Sequence, residues 1–303
     1  MRFITGTMRH GGSLAGLAIG DALGAPLEGS RRPEAWVTQM RPGGRHFRKK
    51  GEVTDDTIQA TAVAESLASC RRFDPEDLVI KLYSGYIQRK EWFGPTSTFF
   101  FDLVRSGTVP HQAARIVHHR RGGSRTNGSV MRGFPLSIFY PAPQVYAISI
   151  ACSALTHYDP VGGHCSAFLN TMVSDMIRGV SRKRAFRHAC SLCTDPEVHT
   201  ILGNFDQYDP DPSLDAVLCS HAALHSFMQA KTPEKAILSA INLGGDADTV
   251  GACTGALAGA YWGLPALPER WRRDVEGYEK LVELAERVWQ QRADRNPAQF
   301  PDA

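Results

Sequence analysis

Gly12, Gly16, Gly20 and Gly24 recur at every fourth position near the start of the chain, and Gly251, Gly255 and Gly259 repeat that spacing near its end. Residues four apart lie on one face of a helix. Glycine inside a helix costs about 1 kcal/mol relative to alanine, so seven on two ridges need compensation. Close approach supplies it, because a ridge without side chains lets two helix backbones touch. The spacing therefore predicts two helices crossing ridge to ridge in a crowded core. It also predicts that the acidic residues flanking both ridges meet in one pocket.

Helical periodicity extends through the rest of the chain. Residues 56–70, 75–90, 98–106, 111–119, 143–156, 163–179, 182–193, 213–230, 233–242, 248–262 and 271–292 place apolar side chains at three- and four-residue spacing. Thr54, Asp74 before Pro75 and Thr232 before Pro233 read as helix starts. Gly and Pro cluster at 41–51, 121–135 and 203–213, which are expected to be loops. Alternating strand patterns, repeats and linkers are lacking. The expected fold is all-α, a single domain over residues 1–303.

Composition narrows the function classes. With 43% hydrophobic and 21% charged residues among 303, a disordered chain is excluded. A net charge of +3 is too small to argue for nucleic acid, and none is expected as partner. Seven scattered cysteines do not make a secreted disulfide framework, and Cys190 to Cys193 has no second pair to complete a zinc site. The apolar run from Leu14 to Ile19 is short and ended by Asp21, a poor export signal. Residues 249–268 carry no charge but include Pro265 and Pro268 and follow Asp246 and Asp248, which fits a buried core helix better than a membrane span. A cytoplasmic monomer without membrane contact is expected.

Four acidic groupings carry the chemistry: Asp55 and Asp56 within Thr54-Asp-Asp-Thr57, Asp246-Ala-Asp248-Thr249 behind Gly244-Gly245, Glu28 just past the first ridge, and Asp21 within it. Taken singly, the first two read as helix caps, since acids and threonines suit a helix N-terminus. A cap needs one carboxylate, however, and paired carboxylates repel. Four Asp and two Thr from two helix starts suit two hard cations such as Mg²⁺ or Mn²⁺, held about 3.5–4 Å apart in two-metal sites. Imidazole and thiolate are missing from these clusters, which argues against zinc.

Other signals are weaker. Phosphate-loop, hydrolase-elbow and dinucleotide motifs are absent. The polar run from Gly122 to Ser129 reads as a loop whose amides could cradle an anion. Arg45, His46, Arg48, Lys49 and Lys50 read as a solvated rim. His157 ends a helical stretch, where histidine commonly meets the last carbonyls.

Five blocks together resemble the ADP-ribosylglycohydrolase family: Gly16-Leu-Ala-Ile-Gly-Asp-Ala-Leu-Gly-Ala-Pro-Leu-Glu28, Thr54-Asp-Asp-Thr57, Asn127-Gly-Ser-Val-Met-Arg132, Ala154-Leu-Thr-His157 and Asn242-Leu-Gly-Gly-Asp-Ala-Asp-Thr249. The resemblance implies a compact orthogonal helical bundle around a binuclear Mg²⁺ or Mn²⁺ centre held by Thr54, Asp55, Asp56, Asp246, Asp248 and Thr249. It implies a catalytic role for Glu28. Asn127, Gly128, Ser129 and Met131 would line the diphosphate and ribose pocket, with Asp21, His157, Gly244 and Gly245 at or behind it. The implied partners are ADP-ribose and an ADP-ribosylated protein, most often modified on arginine; serine, acetyl, nucleic acid or a small guanidino compound are other acceptors.

Glycosidic cleavage passes through an oxocarbenium-like state and needs an acid for the leaving group and a base for water. Two metals would orient the ribose hydroxyls and activate water, and Glu28 would move the proton. Two departures from the family pattern bear on acceptor choice and rate. Trp92 stands where many members carry an acid, unless Glu91 or Asp102 substitutes, and Thr126 replaces a loop glycine. Two other readings stay open: a binding protein of this fold, for example one blocking an ADP-ribosylating toxin, and another two-metal phosphohydrolase.

Overall fold

The computed structural model describes residues 8–44 and 46–295. Fifteen α-helices run through the described residues. The first eight are α1 (Arg9–Gly24), α2 (Asp55–Cys70), α3 (Pro75–Gln88), α4 (Pro95–Arg105), α5 (Pro110–Arg120), α6 (Phe134–Phe139), α7 (Gln144–Ala154) and α8 (Pro160–Ile177). Then follow α9 (Arg182–Leu192), α10 (Pro196–Gly203), α11 (Ala216–Gln229), α12 (Pro233–Ile241), α13 (Ala247–Trp262), α14 (Glu269–Asp274) and α15 (Tyr278–Gln290). Strand pairing among the described residues amounts to three isolated bridges, so the fold is all-α. No helix described is long and apolar enough to cross a membrane.

Local chemistry starts these helices. Asp74, Asp159, Asp195 and Thr232 each accept a backbone N–H of the first turn while proline occupies an opening position. Proline there gives up no helical hydrogen bond, and the cap satisfies one that the helix cannot.

Helices α1 and α13 form the centre, buried on every side from Gly11 to Gly24 and from Ala247 to Ala260. Their ridges touch as the spacing predicts. A Cβ on Gly16 would lie 2.2 Å from the Gly255 carbonyl oxygen, and one on Gly20 would lie 1.9 Å from that of Gly251. Gly12 meets Gly259 in the same way, and Gly24 meets Ala247. The order of these pairs makes the two helices antiparallel. The end of α1 therefore lies against the start of α13.

Two expectations about elements are corrected, and one helix is added. Residues 121–135 are not all loop: a 3-10 turn spans Asn127–Ser129 and α6 begins at Phe134. That helix has six residues, all buried, so it shows no amphipathic period. Ahead of the 203–213 loop, α10 is added; it is one short element with two buried residues, Val198 and Leu202, too few to mark a helical period. The single helix expected at 271–292 is two, broken at Gly277, whose φ of 71° is left-handed.

Candidate active site

Antiparallel crossing of α1 and α13 brings Asp21, on α1, beside Asp246 and Asp248 at the start of α13. Glu28 follows from a 3-10 turn, Ala25–Leu27. Asp21 also recruits α2. Its carboxylate accepts the Thr54 N–H at 2.9 Å, the Thr57 N–H at 3.2 Å and the Thr57 hydroxyl at 2.5 Å. Thr54 caps α2 itself, its hydroxyl oxygen accepting the Asp56 N–H at 3.3 Å. One buried carboxylate thus fixes where Asp55 and Asp56 point.

The donor set fits a hard cation. Single carboxylate oxygens of Asp21, Asp56 and Asp248 lie within 4.8 Å of one another. Asp56 Oδ1 and Asp248 Oδ1 are buried without a hydrogen-bond partner. Burying an unpaired carboxylate oxygen is costly unless a cation receives it. Neighbouring carboxylate oxygens are held: Asp56 Oδ2 accepts from the Thr54 and Thr249 hydroxyls at 3.2 and 3.4 Å. Gln59 donates to Asp55 at 2.9 Å, and Asn127 donates to Asp246.

Protonation follows from the same crowding. Burial, and then the neighbouring carboxylates, push Asp55, Asp56 and Asp248 well above the usual carboxylate range. Burial, with Glu28 nearby, pushes Asp246 up to about 6. A divalent cation would supply the countercharge that these groups otherwise obtain by keeping protons.

The cluster forms the floor of a pocket. Glu28, Asp55, Asp56, Asp246, Asp248 and Thr249 line it, and Asn127, Gly128, Met131 and His157 form a wall. The other expected residues stand behind this surface. Thr54 and Asp21 are fully buried, and both hydrogen-bond to the start of α2. Ser129 takes a hydrogen bond from the Ser153 hydroxyl at 2.8 Å. Gly244 and Gly245, at φ 77° and 61°, make the left-handed turn that delivers Asp246. Gly245 pairs with Ser30, and a Cβ on it would lie 2.2 Å from the Pro212 oxygen. These glycines shape the backbone and do not line the pocket.

Arg48 corrects the expected solvated rim. His46, Lys49 and Lys50 are exposed and Arg45 lies outside the described residues, but Arg48 is 3% exposed. It donates to the Ala25 carbonyl and to Glu28, each at 3.1 Å. Its guanidinium lies 5.7 Å from the Trp92 ring centroid, and that of Arg89 lies at 4.3 Å. Trp92 lines the pocket. Neither proposed stand-in for an acid replaces it: Glu91 is exposed, and Asp102 accepts from Tyr86 and Lys90.

Further contributors carry weaker signals in sequence. Arg132, fully buried, donates to Gln59 at 3.2 Å and to the Gly128 carbonyl at 3.3 Å, bracing Asp55 and the Asn127 turn together. Gly94, Pro95, Thr96 and Ser97 open α4 onto the pocket without a side-chain cap, leaving first-turn N–H groups to face it. Thr126 joins the wall and donates to Thr96 at 3.3 Å. His157 meets no carbonyl; its Nδ1 pairs with the Thr156 hydroxyl at 2.7 Å, and its ring lies against Gly128. Burial, reinforced by Arg132, lowers its pKa well below the usual histidine value, so the imidazole is neutral.

This geometry coincides with a known sequence pattern. The profile of the ADP-ribosylglycohydrolase family matches residues 7–298. The chain belongs to that family. As an ADP-ribosylglycohydrolase it is a hydrolase by kinship, and its relatives bear this out. It is 31% identical to an ADP-ribosylarginine hydrolase Tri1 of Serratia proteamaculans, over 92% of this chain and 78% of that protein. It is 29% identical to the ADP-ribosyl-[dinitrogen reductase] glycohydrolase of Rhodospirillum rubrum, over 86% of this chain and 87% of that protein. A solved structure, an ADP-ribosylglycohydrolase-related protein complex, superposes with a TM-score of 0.83 at 31% identity, covering 94% of this chain and 98% of that one.

Proposed function

We propose that this ADP-ribosylglycohydrolase removes ADP-ribose from modified arginine side chains in a cation-dependent hydrolysis of the N-glycosidic bond. The observation that carries the reading is the pair of buried, unpartnered oxygens on Asp56 and Asp248 at the floor of a pocket that Glu28 also lines. Asp55, Asp56, Asp246 and Asp248, with the hydroxyls of Thr54 and Thr249, would hold two divalent ions, Mg²⁺ or Mn²⁺. When bound, such ions supply Lewis acidity toward ribose hydroxyls and water.

The chain's own residues do the remaining work. Asp21 holds the α2 start, and Asn127 fixes Asp246. First-turn N–H groups of α4 and the Asn127 turn suit the negative diphosphate. Glu28, steered by Arg48, moves the proton between attacking water and departing nitrogen. Neutral His157 fills the wall beside Gly128 without adding charge near the ribose.

A second reading has one observation in its favour. Glu28 is tied up in an ion pair with Arg48, and Trp92 occupies the place of an acid, so a protein that binds ADP-ribose without turnover would also suit the site. Glu28→Gln separates the two. The hydrolase reading expects ADP-ribose binding within a few-fold of the parent and turnover lowered by about 10²–10⁴. Unchanged turnover would remove Glu28 from the mechanism, and a parent that binds without any release would favour the second reading.

A further inference from the structure

A cavity of about 390 Å³ lies between the loop after Glu28, the end of α11 and α12. It shares no lining residue with the catalytic pocket, and its volume is in the range of small-molecule sites. Trp36, Arg32, His225, Lys231, Lys235 and Ser239 line it, and no carboxylate does. Asp206 and Asp209 influence His225 from outside the lining.

The segment carrying Trp36 and Arg32 is pinned at both ends. Ser30 bridges to Gly245. Val37 exchanges two hydrogen bonds with the Asn242 side chain, at 2.8 and 2.9 Å. Trp36 is nevertheless 54% exposed. Among the described residues its ring has no aromatic or cationic partner, and Arg32, Lys231 and Lys235 have no ion pair. A free aromatic face beside three unpaired cations is a combination that a planar, anionic molecule satisfies at both points, by stacking and by charge-assisted hydrogen bonds.

We propose that this cavity is a second ligand site, for a nucleoside monophosphate or a molecule of the same chemistry: an aromatic base on Trp36 and a phosphate among Arg32, Lys231 and Lys235. It does not depend on the proposed catalytic activity. Titration calorimetry with AMP, adenosine and inorganic phosphate tests it on the cation-loaded protein. AMP is expected to bind at least about tenfold tighter than either part alone, because both contacts contribute. Trp36→Leu and the double substitution Lys231→Gln/Lys235→Gln are each expected to weaken AMP about tenfold. Asn127→Ala, in the catalytic pocket, leaves that affinity unchanged. Absence of AMP binding at about 1 mM overturns the proposal. So does binding that is lost in Asn127→Ala but intact in the Trp36 and lysine variants, which would assign it to the catalytic pocket.

Discussion

Buried charge is managed at this site by single side chains with separate duties. Asp21 spends its oxygens on backbone and hydroxyl donors, leaving Asp56 and Asp248 with unpaired ones. Arg132, buried with no carboxylate partner among the described residues, donates instead to Gln59 and to carbonyls of Gly128 and Cys152. That cation helps to keep His157 neutral, and a pH dependence follows. His157 has its pKa lowered in the fold by burial and by Arg132, whereas the unfolded chain protonates it near 6.5. Its contribution to stability is therefore complete above pH 6.5 and is lost as pH falls from there towards the folded value. His157→Gln is expected to remove an acid-side slope that approaches about 1.4 kcal/mol per pH unit below pH 6. Urea denaturation of parent and variant across that range, at matched cation concentration, measures it. Equal slopes would mean that His157 takes its proton in the fold.

Helix crossing explains which parts of the molecule were legible in sequence. The glycine ridges forecast both the contact of α1 with α13 and the meeting of their acids, because steric fit leaves a regular imprint. Caps at Thr54, Asp74 and Thr232 were readable for the same reason: one residue type at one position meets one backbone need. Arg48 was not, since a basic run around residues 45–50 looks solvated until the fold turns one member inward against Glu28. Nor was α6, whose six buried residues leave no polar face. The ridges differ in what they tolerate. Gly11 lies beside the ridge, and a Cβ there would meet Leu264 and Val282 side chains at 3.7 Å, an ordinary contact. Gly11→Ala is expected to stabilise by about 0.5–1 kcal/mol. A Cβ on Gly255 would lie 1.9 Å from the Gly16 oxygen, so Gly255→Ala is expected to cost more than about 3 kcal/mol and to weaken cation binding. Thermal unfolding with and without Mg²⁺ compares them; a Gly255→Ala protein as stable as the parent would show that the helices do not touch there.

Across the whole chain, distant segments depend on one another at a single place. The first and thirteenth helices cross so that residues 21, 28, 246 and 248 meet, and the second helix is tied in through Asp21. Five buried carboxylates, those of Asp21, Asp55, Asp56, Asp246 and Asp248, make that place unfavourable without positive charge, even though the molecule as a whole is slightly basic. Folding and function are thus joined at the cation site, and the most direct measurement follows from it. An arginine-ADP-ribosylated protein is incubated with the purified chain in Mg²⁺, in Mn²⁺ and with a chelator, and free ADP-ribose is counted. Release is expected with one or both cations, and is expected to be absent in the chelator and in Asp248→Ala. Release undiminished by chelation and by that substitution would contradict a metal-dependent arginine hydrolase, as would its absence under both cations.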